Sequence, residues 1–115
     1  MLTRFGKQLR KLRIDRGEKL KDMADRLDVT TAYLSAVENG KRTVPDAWVY
    51  AIIENYHLSD NEAQELQRAA YENKSDLTID LRNTENAEVA LSFARKFRQL
   101  TLEQANELQK ILDKI

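Results

Sequence analysis

Residues 20–39 read LKDMADRLDVTTAYLSAVEN, and this stretch decides the fold. Leu20, Met23, Ala24 and Leu27 recur at three- and four-residue steps, the period of one helix face. Leu34 and Val37 repeat the pattern over a second short helix, about Thr31–Asn39, and Gly40 stands just past its end, where a left-handed cap favours glycine. Only a short turn, Asp28–Thr30, separates the two. Leu20, Leu27, Val29, Leu34 and Val37 supply the apolar positions that hold the pair. Asp28 occupies the turn position, and Asp is among the few non-glycine residues that tolerate positive φ.

Outward from this pair the same period continues. Leu2, Phe5, Leu9 and Leu12 mark a first helix, which Gly17 stops. Lys7, Arg10, Lys11 and Arg16 are read as its solvated face. Pro45 opens a fourth helix at its first turn, with Trp48, Val49, Ile52, Ile53 and Tyr56 as its apolar stripe. Ser59-x-x-Glu62 is a capping box that starts a fifth helix ending near Glu72, with Ala63, Leu66, Ala70 and Tyr71 inward. The period then changes: Leu77, Ile79 and Leu81 alternate with polar residues, which reads as a short strand. With no second run to match it, the strand either pairs across a dimer axis or is an extended linker laying three side chains on the core. Asn83 is read as the cap of a sixth helix carrying Val89, Ala90, Phe93, Ala94 and Phe97. Thr101-x-x-Gln104 boxes a last helix with Ala105, Leu108, Ile111, Leu112 and Ile115. Two amphipathic helices at the end of a small domain bury their faces against each other, the core or a partner chain.

Composition narrows the function. The chain has 115 residues, 19 basic and 19 acidic side chains, and no Cys. The zero net charge hides two unlike parts: residues 1–45 hold eleven basic and six acidic side chains, and residues 46–115 hold eight and thirteen. This asymmetry, a basic front and a back part read as an acidic tail, points to a nucleic-acid partner. Lack of Cys removes disulfides, thiolate metal sites and Cys nucleophiles. The longest apolar run, Ala47–Ile53, falls short of a membrane span, and Met1–Arg16 lacks a signal peptide's apolar region, so a cytoplasmic protein without membrane partners is expected. His57 is the single histidine, with no second ligand for a metal. Ser35, Ser59, Ser75 and Ser92 have no general base in pattern, and no Gly-rich phosphate loop is present. No catalytic residue, metal or cofactor is expected.

Leu20–Asn39, followed by Glu38-Asn39-Gly40-Lys41-Arg42, resembles the helix-turn-helix of the XRE (lambda repressor/Cro-like) family of DNA-binding regulators. The resemblance spans about residues 5–72. It implies an all-α fold with a five-helix DNA-binding domain over residues 1–73, to which the periodicity adds, over 74–115, an extension with a short strand and two helices. It also implies that Arg13 and Glu38 form an internal salt bridge. In the family's docking geometry the second helix of the motif enters the major groove by its N-terminal end. Thr31, Ala32 and Ala36 then face bases with Tyr33 at the rim, Tyr33 alternatively packing only on its own helix. Lys19, Lys21, Thr30, Asn39, Lys41, Arg42 and Thr43 face phosphates. Leu20 replaces the glutamine common at the first position of helix two, so Lys19 and Lys21 can supply only the backbone part of that contact. The resemblance implies a dimeric transcriptional repressor, with Leu77, Ile79, Leu81, Phe93, Phe97, Leu108, Ile111 and Leu112 available to a second copy or a partner. The alternative is the antitoxin of a toxin–antitoxin pair, which neutralises a co-encoded protein and autoregulates its operon.

Overall fold

The computed structural model describes residues 1–72 and 74–115. Its elements are α1 (Arg4–Arg16), α2 (Leu20–Arg26), α3 (Thr31–Glu38), α4 (Asp46–Asn55), α5 (Asp60–Tyr71), α6 (Ala87–Lys96), a 3-10 turn at Phe97–Gln99 and α7 (Leu102–Asp113). The chain divides into two compact units, Met1–Thr78 and Ile79–Ile115. No described helix is long and apolar enough to cross a membrane.

In the first unit, side-chain and backbone caps set the helix ends. Thr3 accepts from the Gly6 amide at 3.0 Å and starts α1. Gly17, at φ 64°, closes it in the left-handed region, and the Glu18 amide reaches back to the Arg13 carbonyl at 2.8 Å. Asp28 turns the chain between α2 and α3 at φ 55°, as its residue type allows. Thr30 caps α3 by accepting from the Tyr33 amide at 3.1 Å. Pro45 sits one position outside α4 as its cap, extended at ψ 138°. The Ser59–Glu62 box forms in both directions, at 3.1 and 3.2 Å.

The apolar stripes converge on one core. Phe5, Leu9, Met23, Leu34, Val37, Ile52 and Leu66 are its most enclosed side chains, with Trp48, Val49 and Tyr56 alongside. Each such side chain contributes about 1.5–3 kcal/mol relative to exposure. Leu20, Leu27 and Val29 are half-buried against it. Arg13 and Glu38 are buried at 6% and 2% exposure. They pair through both guanidinium nitrogens, Nη2 donating to Oε1 at 3.1 Å and Nη1 to Oε2 more closely. A buried charge without a partner is strongly destabilising, and each ion here answers the other. Arg16 donates to the Tyr56 carbonyl at 2.8 Å, so it does more than solvate its face.

The tightest approach in the unit lies where α1 meets the end of α3. A Cβ on Gly6 would sit 2.2 Å from the Glu38 carbonyl oxygen. That oxygen also accepts from the Thr3 amide at 2.9 Å and the Thr3 hydroxyl at 3.1 Å. Gly6 is therefore required by close approach in a helix interior, where glycine would otherwise be a weakness.

Two expectations fail in the second part of the chain. Residues 77–81 form no strand; among the described residues there is none. With no neighbouring strand to take its amides and carbonyls, the segment stays extended and solvated, and Leu77, Ile79 and Leu81 are exposed. The sixth helix begins later than expected: Asn83 lies at φ 57°, in a turn rather than at a cap, and Asn86 precedes the helix. The Thr84 hydroxyl accepts from the Asn86 amide at 3.1 Å and holds that turn.

Neither α6 nor α7 buries a residue. Phe93 and Phe97 pack on each other at 5.4 Å between ring centres, and Leu108 joins Val89, Phe93 and Leu100 around a shallow apolar groove. The acidic excess read as a tail does not lie in this unit. Residues 79–115 carry six basic and six acidic side chains, whereas residues 46–78 carry two and seven. The charge asymmetry is therefore internal to the first unit, basic over α1–α3 and acidic over α4–α5.

Gly6→Ala should lower stability by about 2 kcal/mol in urea unfolding of the full chain. In an unconstrained helix interior the same change stabilises by about 1 kcal/mol, so an unchanged or raised midpoint would contradict the close approach.

Candidate nucleic-acid interface

The α2–α3 pair leaves one end of α3 open to solvent. Leu34 and Val37 point into the core, which turns Thr31 and Ala32 outward and leaves Ala36 and Tyr33 half-buried at the edge. Thr31, Ala32 and Ala36 thus share a small, weakly polar surface at the exposed end of the helix. Thr30 stands beside them, its oxygen accepting the Tyr33 amide while its hydroxyl proton is free to donate.

The loop after α3 carries the charge. Gly40 turns it at φ 75°, and the amides of Lys41 and Arg42 both return to the Ala36 carbonyl, at 2.9 and 3.3 Å. Lys41, Arg42 and Thr43 are exposed. Asn39 is partly used internally: its amide donates to the Ser35 carbonyl at 2.9 Å, tying down the end of α3. Lys19 and Lys21 are exposed at the start of α2. The Asp22 carboxylate takes the Lys19 amide at 2.8 Å, which places a negative charge at the start of α2.

Tyr33 has a specific place in this surface. Its ring meets the Trp48 ring edge-on at 5.7 Å, and the Arg42 guanidinium lies 5.8 Å from its centre. A guanidinium at that distance is attracted to the ring face. The ring thus bridges the core, through Trp48, to an exposed cation. The sequence marks Tyr33 and Arg42 separately but gives no sign that they stack.

The dimer or partner candidates lie elsewhere. Phe93, Phe97, Leu108, Ile111 and Leu112 are exposed in the second unit, with Ile111 and Leu112 each at 59%. His57 ends α4 at φ 50°. Among the described residues, no group of three or more His, Cys, Asp or Glu is placed to hold a metal ion.

Sequence reading missed three residues. Arg4 and Lys74 line the same groove as Thr3, Lys41, Arg42 and Thr43, and Lys74 is held by Asp46 through a salt bridge of 2.7 Å. Arg4 was legible only as one more charge on α1. The pair at 46 and 74 spans 28 residues and leaves no local pattern.

This arrangement, a short helix pair with an outward second helix and a basic loop behind it, defines a helix-turn-helix protein of the DNA-binding class. The helix-turn-helix domain family matches residues 4–66, more than half of the chain, and the chain belongs to it. No curated protein and no solved structure matches it. As a class, such domains bind DNA.

The Tyr33 ring and its hydroxyl can be told apart. Tyr33→Phe keeps the stack and should bind duplex DNA within about twofold of the parent. Tyr33→Ala should lose about 2 kcal/mol of stability and bind about tenfold more weakly, as read by thermal melts and fluorescence anisotropy. A selective loss of sequence preference in Tyr33→Phe would show instead that the hydroxyl reads a base.

Proposed function

We propose that this protein is a dimeric DNA-binding transcriptional regulator, acting as a repressor, with α3 in the major groove. The observation that carries the reading is the outward N-terminal end of α3 together with the exposed Lys41-Arg42-Thr43 loop that follows the helix, within a domain of the helix-turn-helix family. Thr31, Ala32 and Ala36 face base edges, with Tyr33 at the rim. Thr hydroxyls donate or accept, and Ala and Thr methyls meet thymine methyl groups. None of these is a bidentate reader, so direct readout is thin and DNA shape and half-site spacing carry more of the specificity. Thr30, Asn39, Lys41, Arg42 and Thr43, with Lys19 and Lys21 at the flank, contact phosphates. These contacts set affinity and register without reading sequence. The first unit is basic over residues 1–45 and acidic over 46–78, and this charge asymmetry orients the protein as it approaches.

The second unit joins two protomers. A 37-residue pair of helices that buries none of its helical residues cannot be stable by its own core. Phe93, Phe97, Leu108, Ile111 and Leu112, with Leu77, Ile79 and Leu81 on the approach, supply the apolar surface. Its balanced charge, six basic against six acidic side chains, lets two copies meet without net repulsion and offers no charge bias toward a strongly charged partner. Dimers of this kind bind half-sites about one helical turn apart, and the protein works in the cytoplasm, where the DNA is.

Anisotropy with a mixed-sequence duplex at low salt should show binding, and its absence would sink the DNA reading. Lys41→Glu with Arg42→Glu should weaken binding to every duplex and flatten the salt dependence by about two units of slope. Light scattering after gel filtration should give a dimer for the full chain and a monomer for Leu108→Ser/Ile111→Ser/Leu112→Ser. A full chain that is monomeric and gains order only with a co-encoded protein would favour the antitoxin reading instead.

A further inference from the structure

Lys74 lines the groove beside the Lys41-Arg42-Thr43 loop, and with Asp46 and Tyr71 it forms a cluster that none of the proposed phosphate contacts uses. The Lys74 ammonium donates to the Val44 carbonyl at 2.5 Å and to the Asp46 carboxylate at 2.7 Å. The Tyr71 hydroxyl donates to the same Asp46 oxygen at 3.1 Å, and the Lys74 ammonium lies 4.7 Å from the Tyr71 ring centre. Asp46 opens α4, where a negative charge is favoured. Lys74, more than any other group, holds its carboxyl below the usual range, with the Tyr71 and Thr78 hydroxyls adding to this against a smaller cost of desolvation.

The geometry points to Lys74, with Asp46 and Tyr71, as a clasp that positions the phosphate-binding loop. Val44 and Pro45 end that loop, and Pro45 has no amide to donate. The start of the loop is already fixed, because the Lys41 and Arg42 amides return to Ala36. Lys74 fixes the other end by taking the Val44 carbonyl, so Lys41, Arg42 and Thr43 are carried on backbone pinned at both sides. A loop ordered in advance loses less entropy when its side chains engage phosphates. Lys74 itself is spent on Asp46 and Val44, which makes it a positioning residue and leaves the phosphate contacts to Lys41 and Arg42. It also lies four residues before the end of the first unit at Thr78, so the chain leaves that unit through the clasp.

This inference rests on the DNA-binding reading, and charge alone separates it from simpler accounts. Asp46→Asn removes a negative charge near a polyanion. If only net charge mattered, the variant would bind duplex DNA more tightly. If Asp46 holds Lys74 in place, it binds more weakly. The expected result for the full chain at fixed salt is about fivefold to tenfold weaker binding for Asp46→Asn and Lys74→Met, a smaller loss for Tyr71→Phe, and recovery of most of the affinity in Lys74→Arg. The salt slope should change little in Lys74→Met, since the loop cations are displaced and not removed; a slope lowered by one would make Lys74 a phosphate ligand and overturn the positioning role. Tighter binding by Asp46→Asn, or unchanged binding by Lys74→Met, would equally overturn it. Amide hydrogen exchange without DNA keeps the two readings distinct: Lys74→Met should speed exchange in the 41–46 loop. Faster exchange in Lys74→Met together with no duplex binding by the parent chain would reject the DNA reading while leaving the clasp intact. Unchanged exchange would reject the clasp whatever the DNA result.

Discussion

The first unit depends on one backbone oxygen, the carbonyl of Glu38. It ends α3, and α1 lies on it so closely that only a residue without a side chain fits at position 6. Thr3 donates to it through both its amide and its hydroxyl, while the carboxylate of the same Glu38 takes the Arg13 guanidinium in the interior. A single residue at the end of α3 is therefore held by α1 at both its main chain and its side chain. The orientation of α3, and so of Thr31 and Ala32 at its far end, is set by this junction together with the packing of Leu34 and Val37. An uncompensated buried ion or a displaced α1 backbone would move the whole exposed helix, which makes the junction part of the interface although it touches no ligand.

Charge and apolar surface are divided between the units in a way the totals conceal. The helix-turn-helix unit is basic over α1–α3 and acidic over α4–α5, whereas the second unit is balanced. The electrostatics of approach to DNA thus belong to one unit, and the exposed apolar side chains outside it belong to the other. Phosphate contacts weaken with salt through counterion release, while apolar association is little screened. On the proposed reading, DNA binding and dimer assembly would therefore respond to different solution conditions.

Much of the first unit was legible along the chain. Helix periods, the Ser59–Glu62 box, the glycine stops and the left-handed Asp28 all report interactions within four or five residues, and the structure carries them as read; the Thr101–Gln104 box does the same in the second unit. The Arg13–Glu38 pair came from resemblance, since its partners lie 25 residues apart. Reading failed where the next element was missing. The alternation at Leu77, Ile79 and Leu81 is a strand pattern, but a pattern cannot supply the second strand that would satisfy its backbone. Asn83 has a cap's chemistry, yet the turn closed by Thr84 and Asn86 delays the helix to Ala87.

The sequence by itself determined the helix order and the helix-turn-helix pair, because periodicity and capping are settled between near neighbours, while which end of α3 faces outward came from the family resemblance. Tertiary structure alone decided that Gly6 sits against Glu38, that Tyr33 bridges Trp48 to Arg42, and that Lys74 closes on Val44 and Asp46. Those contacts join residues 9 to 32 positions apart. At such separations the partners are chosen by how the helices pack around one core, and the residue types involved, a glycine, a tyrosine and a lysine, carry no local mark of the partner they will meet.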